Sequence, residues 1–327
     1  MRFPVLLLAL AALAFQTSCS RYANFEVPPA ENWASYSFEW RVNTEPVLTR
    51  GSAVDVLNPS VALWAGSLLN LYSRFDGEKW ESWMANSSDG LTWSNHRRVL
   101  TPEQRWEGKY IAANGSLIVD GGRLLYFYQA GPKGQTTIGL ATSSDGQNWT
   151  KRSQPIFRKG PRLAWDEISM GDPYAWRAGE YLFLCYLGED RAGRQRLGLA
   201  RSRDAESWEK LQSNPVMELG GSGEFDENGL GEPAIFSAGG KWVMLYTGRD
   251  RKEIRRMGYA TSTNGVKWTK VKSPVLAGEQ SWNRQVLCDA TVLVEEDRVR
   301  VWFGGGDQPK PDERINGQIG YAELPRK

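Results

Sequence analysis

One polar residue recurs five times along the chain, each time directly before a short apolar run. Three of the five are carboxylic acids, and carboxyl groups sharing a partly desolvated site can include a protonated member and an ionised one. That combination supports general acid–base chemistry of the kind that cleavage of a glycosidic bond requires. A simpler interpretation is that each side chain only accepts hydrogen bonds within a turn. This explains three neighbouring carboxylates less well, because their charges repel one another. The residues, at intervals of 56, 58, 60 and 57, are Asn58, Asn114, Asp172, Glu232 and Asp289.

We therefore predict Glu232, Asp172 and Asp289 as catalytic residues, and Asn58 and Asn114 as substrate contacts. No metal site and no cofactor are predicted, because the sequence specifies no ligand set for either.

A seven-residue motif, Ser-x-Asp-Gly-x-x-Trp, marks the repeat that carries these residues. It stands at 87–93 and 143–149, with looser copies at 202–208 and 262–268. A short strand of the type Ile-Gly-Leu-Ala precedes it, and in its first, degenerate copy (82–85) Trp83 replaces the glycine. Each repeat also contains a pair of apolar runs broken by glycine, which predicts two further strands. With the strand that follows the tryptophan, every repeat supplies four strands.

Four strands per repeat predict an all-β fold, a five-bladed β-propeller with four-stranded blades. The fifth repeat ends near Ala322 without its tryptophan and last strand, and residues 37–40 and 46–48 can supply both. Pairing of the N- and C-terminal strands would then close the ring and leave no open sheet edge. Because the first strand of each blade lines the axis of a propeller, the five recurring polar residues should converge on one face.

Composition excludes several classes of function. There is a single histidine, His96, so sites built from several histidines are excluded and a Ser-His-Asp triad could form only through this residue. A formal net charge of +2 offers no basic surface for nucleic acid. The 15 tryptophans stand mostly at repeat positions, which favours a role in the core over ligand stacking. Trp83 is the exception, and we predict it as a substrate contact of a monomeric protein.

Polar loop residues should surround the same face. The segments before the first strands contribute Asp166, Glu167 and Arg284, and the hairpins after the second strands contribute Arg191, Arg249 and Asp250. Carboxylates, guanidinium groups and aromatic rings together suit a polyhydroxylated ligand that is neutral or weakly charged. We predict these six residues as substrate-binding, although each can also be read as an ordinary solvated loop residue.

The N-terminus predicts export. Met1-Arg2 and the apolar run Val5–Phe15 form a secretory signal that is too short to span a bilayer. The sequence predicts a signal peptide at 1–18, an acylated Cys19, a tether at 19–32 and one propeller domain at 33–327. Such a bacterial lipoprotein would lie in the cell envelope, attached to the membrane only through its lipid anchor; ordinary signal cleavage would instead make it periplasmic or secreted. Cys185 and Cys288 lie in different repeats, so core thiols are favoured over a disulfide.

The repeats together resemble the five-bladed glycoside hydrolase superfamily. That group includes arabinanases and β-xylosidases (family 43), invertases and levansucrases (families 32 and 68) and mannoside phosphorylases (family 130). The resemblance rests on Asp172-Pro173, Glu232-Pro233 and the turn motif, and it covers nearly the whole chain after the signal. The turn motif is one residue shorter than the sialidase Asp box, which argues against a six-bladed sialidase. The resemblance implies a carbohydrate ligand and carboxylate catalysis.

The sequence departs from the superfamily at the first two axial positions. Members usually carry Asp, Asp and Glu on three successive blades, whereas this chain has Asn58 and Asn114 first. An amide can neither take a proton from water nor act as a carboxylate nucleophile. With the pattern placed so that Glu232 is the acid, the resemblance implies Glu232 as the general acid and Asp172 or Asp289 as the base or nucleophile. Asp289 could supply the missing carboxylate. The alternative is a carbohydrate-binding propeller without catalytic activity, and a third hypothesis is a scaffold that binds protein.

Overall fold

The computed structural model describes residues 21–31, 35–36 and 38–326. Within them the only helix is a single 3-10 turn at Arg105–Glu107, so the predicted all-β fold is confirmed. The strands are, in chain order, β1 Arg21–Ala23, β2 Arg41–Val42, β3 Asp55–Trp64, β4 Ser67–Phe75, β5 Trp80–Ser87, β6 Ser94–Leu100, β7 Ile111–Asp120, β8 Arg123–Gly131, β9 Thr137–Ser143, β10 Thr150–Lys151, β11 Ser169–Ala178, β12 Tyr181–Glu189, β13 Gln195–Ser202, β14 Trp208–Leu211, β15 Gly229–Ala238, β16 Lys241–Arg249, β17 Arg255–Ser262, β18 Thr269–Lys270, β19 Val286–Val294, β20 Arg298–Gly306 and β21 Gln318–Pro325.

Antiparallel pairing follows the repeats. We call β3–β6 the first strand group, β7–β10 the second, β11–β14 the third and β15–β18 the fourth. In the fifth group β19, β20 and β21 pair in order, and β2 from the N-terminal region pairs with β21. Short parallel pairings link the third strand of one group to the first strand of the next, for example Gln195 with Gly229 and Arg255 with Val286. The described strands therefore belong to one 13-stranded and one eight-stranded sheet.

The hairpins between first and second strands use residues that accept positive φ. Gly121 and Gly122 have φ of 57° and 75°, and Gly239 and Gly240 have φ of 56° and 70°. Two successive residues at positive φ are typical of two-residue hairpin turns whose twist matches that of the flanking strands. Glycine reaches this conformation without the steric cost of a Cβ atom.

The turn motif has the geometry that the sequence predicted. Asp89 Oδ1 accepts hydrogen bonds from the backbone amides of Leu91 and Thr92, both at 2.8 Å, and Ser87 Oγ accepts from the amide of Gly90 at 2.7 Å. The same bonds recur around Asp145, while Asp204 and Asn264 in the looser copies likewise accept from two backbone amides. The motif thus closes the third-strand turn in each repeat.

The core lies between neighbouring groups. Phe127 of the second group packs with Leu184 of the third, and Phe236 of the fourth with Phe303 of the fifth. Motif tryptophans fill the same interfaces: the ring of Trp93, in the first group, meets that of Trp302, in the fifth, edge-on at 6.3 Å. Most tryptophans therefore belong to the core, as the repeat predicted. Cys185 and Cys288 are buried free thiols.

Part of the predicted tether packs against the strand groups instead of hanging free. β1 pairs in parallel with β14, and Phe25 and Val27 are buried in the core between the third and fourth groups. The amide of Val27 also donates to the carbonyl of Asn264 at 2.9 Å. The reason is the apolar surface of these side chains, which an extended tether would leave in water.

The predicted signal peptide and Cys19 lie outside the described residues. Across the residues that the structure does describe, no helix is both long and apolar enough to cross a bilayer.

Candidate active site

Each of the five recurring polar residues sits on a β-bulge in the first strand of its group. The register of every first-to-second strand pair shifts at this residue. A bulge at positive φ turns the side chain away from the pleat, and for residues other than glycine it costs energy. Asn and Asp tolerate the conformation best, so Glu232 is the most demanding case. The φ values are 51° for Asn58, 48° for Asn114, 46° for Asp172, 50° for Glu232 and 58° for Asp289.

The five bulges aim their side chains into one cavity of about 370 Å³, whose lining includes all five residues. The convergence that the repeat register predicted is thus observed. Asp172 and Glu232 are half-buried, whereas only 4% of Asp289 is exposed. Strained backbone at the same register in five repeats is typical of a functional site.

A chain of hydrogen bonds connects the carboxylates around the cavity. Asp172 Oδ2 accepts from the backbone amide of Glu232 at 3.2 Å, and Glu232 Oε2 accepts from the amide of Asp289 at 3.3 Å. Asp289 Oδ2 in turn accepts from the amide of Asn58 at 3.2 Å. The bulges at Glu232, Asp289 and Asn58 therefore each present an amide to the preceding carboxylate, which holds the three carboxyl groups in a defined orientation.

Asn114 positions Asp172. Its side-chain Nδ2 donates to Asp172 Oδ1 at 2.7 Å and to Gln129 Oε1 at 3.0 Å. The Asn114 backbone amide donates to Ser73 Oγ at 2.8 Å. The amide that cannot replace a catalytic carboxylate thus acts as a hydrogen-bond donor to the neighbouring one.

Burial and mutual repulsion raise the pKa of two of the three acids. Burial, followed by the negative charge of Glu232, raises the pKa of Asp172 to about 7, against the lowering effect of the Asn114 hydrogen bond. The same two causes raise the pKa of Asp289 well above its ordinary value. Burial likewise raises the pKa of the Cys288 thiol, which donates to Asp289 Oδ2 at 3.1 Å. Burial beside the charge of Glu232 therefore disfavours the ionised forms of Asp172 and Asp289.

The fourth strand group adds two guanidinium groups to the cavity wall. Arg249 ends β16 and Arg255 begins β17, and both line the cavity. Lys133 lines it as well, but its ammonium group is held by Glu313 at 2.7 Å and Asp312 at 3.2 Å. The wall therefore carries charges of both signs.

Among the described residues, one set of three could offer ligand atoms to a metal ion. One atom each from Glu232, Cys288 and Asp289 lie within 4.8 Å of one another. The raised pKa of Asp289 and of Cys288, with the positive charge of Arg255 nearby, oppose a cation here. The chemistry of this donor set therefore adds no support for a metal centre.

Asp166, predicted from sequence to bind substrate, lies outside the cavity lining and is fully buried. Lys210 Nζ donates to its Oδ2 at 2.5 Å and Tyr186 OH at 3.3 Å. Equivalent bonds join Glu107 to Lys151 and Asp226 to Lys270. Asp166 is thus the third-group copy of a structural ion pair that fastens the linker to the sheet.

The other loop predictions divide. Arg249 lines the cavity as predicted, whereas five residues do not. Glu167 and Arg191 form an exposed ion pair, Asp250 caps its own turn by accepting from the amides of Lys252 and Ile254, Arg284 presents its carbonyl to Arg256, and Trp83 stacks under Arg74 at 4.9 Å. Glu167, Arg191 and Asp250 find their partners within the loops of their own group, and the ion pair recurs in the fourth group between Glu227 and Arg251, so a repeated loop position need not reach the cavity. No contact described here supports the predicted binding role of these five.

Four lining residues follow a sequence signal that was missed. Trp80, Thr136, Gln195 and Arg255 each stand two positions before a strand of the Ile-Gly-Leu-Ala type, and all line the cavity. The second strands contribute Gln129, Leu187 and Thr247 at a shared register position. Tyr110, Lys133 and Asp312 also line the cavity, but their loops differ between repeats and carried no signal.

A model of the N-terminal domain of glycosyl hydrolases family 32 matches residues 70–224, slightly less than half of the chain. A β-1,2-mannobiose phosphorylase from Listeria innocua superposes with a TM-score of 0.70 at 14% identity, over 88% of this chain and 97% of its own. A glycosyl hydrolase from Bacteroides ovatus gives a TM-score of 0.70 at 16% identity, over 90% and 96%.

The chain is glycosidase-like. At these identities the structural likeness concerns the fold, and with the family match it confirms the resemblance to the β-propeller glycoside hydrolases. A further relative, an uncharacterized protein from Mycobacterium tuberculosis, is 24% identical to this glycosidase-like chain over 230 residues, which is 65% of the chain and 75% of the relative.

Proposed function

We propose that this glycosidase-like protein cleaves glycosidic bonds of an oligo- or polysaccharide outside the cytoplasm. The observation that carries the proposal is the pairing of Asp172 and Glu232, both half-buried, in one cavity, where burial and then the negative charge of Glu232 raise the pKa of Asp172 to about 7. Glycoside hydrolysis needs one carboxylic acid that can give a proton and one carboxylate that stays ionised.

In this mechanism Asp172 protonates the departing glycosidic oxygen, because its pKa near neutrality lets it both hold and release a proton. Glu232 faces the developing positive charge on the sugar as the carboxylate. Water then adds to the anomeric carbon, and Asp172, ionised once it has given its proton, takes up the proton that this water loses. Asn114 fixes the orientation of Asp172. The backbone amide of the buried Asp289 donates a hydrogen bond to Glu232. These roles reverse the sequence-based assignment of Glu232 as the acid.

The architecture we propose for this site is a closed propeller of five blades, formed by residues 33–327. Support comes from Arg41 opposite Glu323 and Val42 opposite Ala322, which join the N-terminal region to the last strand. Apolar clusters also join the first group to the second and to the fifth. Export through the signal at 1–18, with Cys19 as the anchored residue, is part of the same proposal.

The test is hydrolysis of a broad oligosaccharide panel by the purified mature chain and two variants. Asp172→Asn and Glu232→Gln should each lower turnover by about 10²–10⁴-fold without a fall in the melting temperature. Glu209→Gln, a matched carboxylate-to-amide change on β14 whose partner is Arg201, should keep wild-type turnover. Turnover that survives Glu232→Gln unchanged would refute the assigned roles.

The second candidate function, a carbohydrate-binding propeller without catalysis, is favoured by one observation. Two of the five axial positions are the amides Asn58 and Asn114, which cannot transfer a proton. This function predicts that oligosaccharides bind without product release and that Glu232→Gln leaves the binding unchanged.

A further inference from the structure

Two arginines stand directly opposite each other at the cavity. In the pairing of β16 with β17, Arg249 is the cross-strand partner of Arg255. Like charges directly opposite on a sheet destabilise it. The same register holds Phe75 opposite Trp80 in the first group and Glu189 opposite Gln195 in the third. The fourth group therefore carries an unfavourable pair that the repeat itself does not require.

Arg255 is a buried charge without a close counter-ion. Only 7% of it is exposed, and it forms no ion pair within 4.0 Å with any carboxylate in the described part of the chain. Its Nη2 donates to two backbone carbonyls, of Lys310 at 2.9 Å and of Pro311. Burial would lower its pKa, but Cys288, Glu232 and Asp289 outweigh burial and leave the pKa raised. A charged guanidinium in this position has a desolvation cost that a bound anion would offset.

Arg249 also has an unmet donor. Its Nη1 pairs with Glu253 at 3.2 Å and its Nη2 donates to Gln195 Oε1 at 2.8 Å. Its Nε is buried and has no hydrogen-bond partner. A buried N–H without a partner is costly, and here it belongs to a side chain that lines the cavity.

We propose that Arg249 and Arg255 bind the carboxylate of an acidic sugar unit, a uronosyl residue of the substrate. Guanidinium groups pair with carboxylates through two parallel hydrogen bonds, which fixes the orientation of the sugar as well as its charge. A singly charged carboxylate fits better than a dianionic phosphate because Glu189, Glu232 and Asp312 line the same cavity. The inference rests on the proposed function and names the substrate class of that site.

The test measures binding of four sugars to the purified mature chain by calorimetry: D-galacturonate, D-glucuronate, D-galactose and D-glucose. At least one uronate should bind about tenfold or more tightly than its neutral counterpart, and the advantage should shrink as salt is added. Inorganic phosphate and sulfate are tested as competitors. Equal affinity for uronate and neutral sugar, or phosphate or sulfate that binds as tightly as uronate, would overturn the proposal.

Variants separate a ligand role from a structural one. Arg249→Gln and Arg255→Gln should each remove most of the difference in affinity between uronate and neutral sugar, while Arg255→Lys should retain part of it. Arg256→Gln is the matched control, because Arg256 on the same strand donates to the backbone carbonyls of Arg284 and Gln285. If Arg255→Gln does not fold, uronate and neutral-sugar affinities are compared in Arg249→Gln and Arg255→Lys instead. A uronate preference that survives in Arg249→Gln and in Arg255→Lys at full size would contradict the assignment.

Hydrolysis distinguishes this inference from the proposed function. Uronate preference without turnover of any acidic oligosaccharide would support the anion site and refute catalysis. Turnover of neutral oligosaccharides with no uronate preference would support catalysis and refute the anion site.

Discussion

Two sets of buried carboxylates recur in this molecule, and they differ in what surrounds them. The linker set, Glu107, Asp166 and Asp226, has a lysine and a tyrosine for every acid. The axial set has no cation within ion-pair distance in the described chain; its acids accept from backbone amides, Asn114 and Cys288.

The difference appears in the pKa. Although burial raises the pKa of Glu107, hydrogen bonds from two backbone amides, Tyr128 and Lys151 outweigh it and leave the pKa lowered. The pKa of Asp172 is raised instead, because burial and the charge of Glu232 have too little opposition. Buried acids that have their own counter-ion are committed to a structural pair, whereas those that lack one are left available for chemistry.

In the linker set, the acid and its two partners are all present in the second, third and fourth groups, and all three are replaced in the fifth. In the fifth group the acid is replaced by Asn283, and Phe303 stands where the other groups have the tyrosine. Val42 stands opposite Ala322, in the position where the lysine of the other groups stands opposite its alanine. Acid and cation are thus absent together, which is expected if a buried carboxylate is tolerated only with its cation.

The largest expected effect comes from removing a cation of the linker set. Lys210→Met leaves Asp166 charged and buried, so the free energy of unfolding should fall by about 3–5 kcal/mol. Urea denaturation measures the loss. The double variant Asp166→Asn with Lys210→Met should recover much of the lost free energy. If Lys210→Met alone were as stable as the wild type, the linker acids would not depend on their cations.

A smaller loss is expected when an acid is added where the cation is missing. Asn283 is buried, and its Oδ1 accepts from the amide of Gln280 at 3.0 Å. Asn283→Asp should lower the free energy of unfolding by about 1–3 kcal/mol at pH 8 and by less at pH 5, where the carboxyl can take up a proton. Thermal melts at both pH values measure this, and an equal loss at the two would contradict it.

For the axial set, stability should change with pH in the opposite direction to that expected for a salt-bridged acid. The pKa of Asp172 is about 7 in the folded protein and near 4 in the unfolded chain. Its contribution to the free energy of unfolding is therefore most favourable below pH 4 and is lost as the pH rises through 7. Asp172→Asn should therefore melt about 5 °C above the wild type at pH 8, with a smaller difference at pH 5. A constant difference across this range would argue that Asp172 is not buried beside a charge.

The smallest effect concerns the hydrogen bond that opposes the Asp172 shift. Asn114→Ala removes the donor that lowers the pKa of Asp172. If Asp172 is the proton donor, the alkaline limb of the pH–turnover profile should move upward by up to about one unit. Gln129→Ala, which removes a side chain bonded to Asn114, serves as the comparison and should move the limb less. An unmoved limb in Asn114→Ala would separate Asn114 from proton transfer.

The sequence predicted the repeat, the turn motif and the shared register of the five axial residues, because all three are local or periodic. It misassigned Asp166, since an acid in a linker reads the same whether it faces a ligand or Lys210. Arg255 was also not predicted from the sequence. This residue stands at a repeated position, but that position lies in another strand and differs in residue type from repeat to repeat. The packing of residues 21–31 was missed because two apolar side chains, Phe25 and Val27, carry no periodic signal.

By itself the sequence determined the number and spacing of the repeats, and with them which five residues share one register. Spacing is enough for this, since strand periodicity and turn chemistry act over a few residues. Only the tertiary structure decided that the five side chains stand on strained bulges around one cavity, that burial and the charge of Glu232 raise the pKa of Asp172 and Asp289, and that Arg249 faces Arg255. Burial and charge–charge distance set those properties, and both depend on residues about 60 positions apart meeting in space.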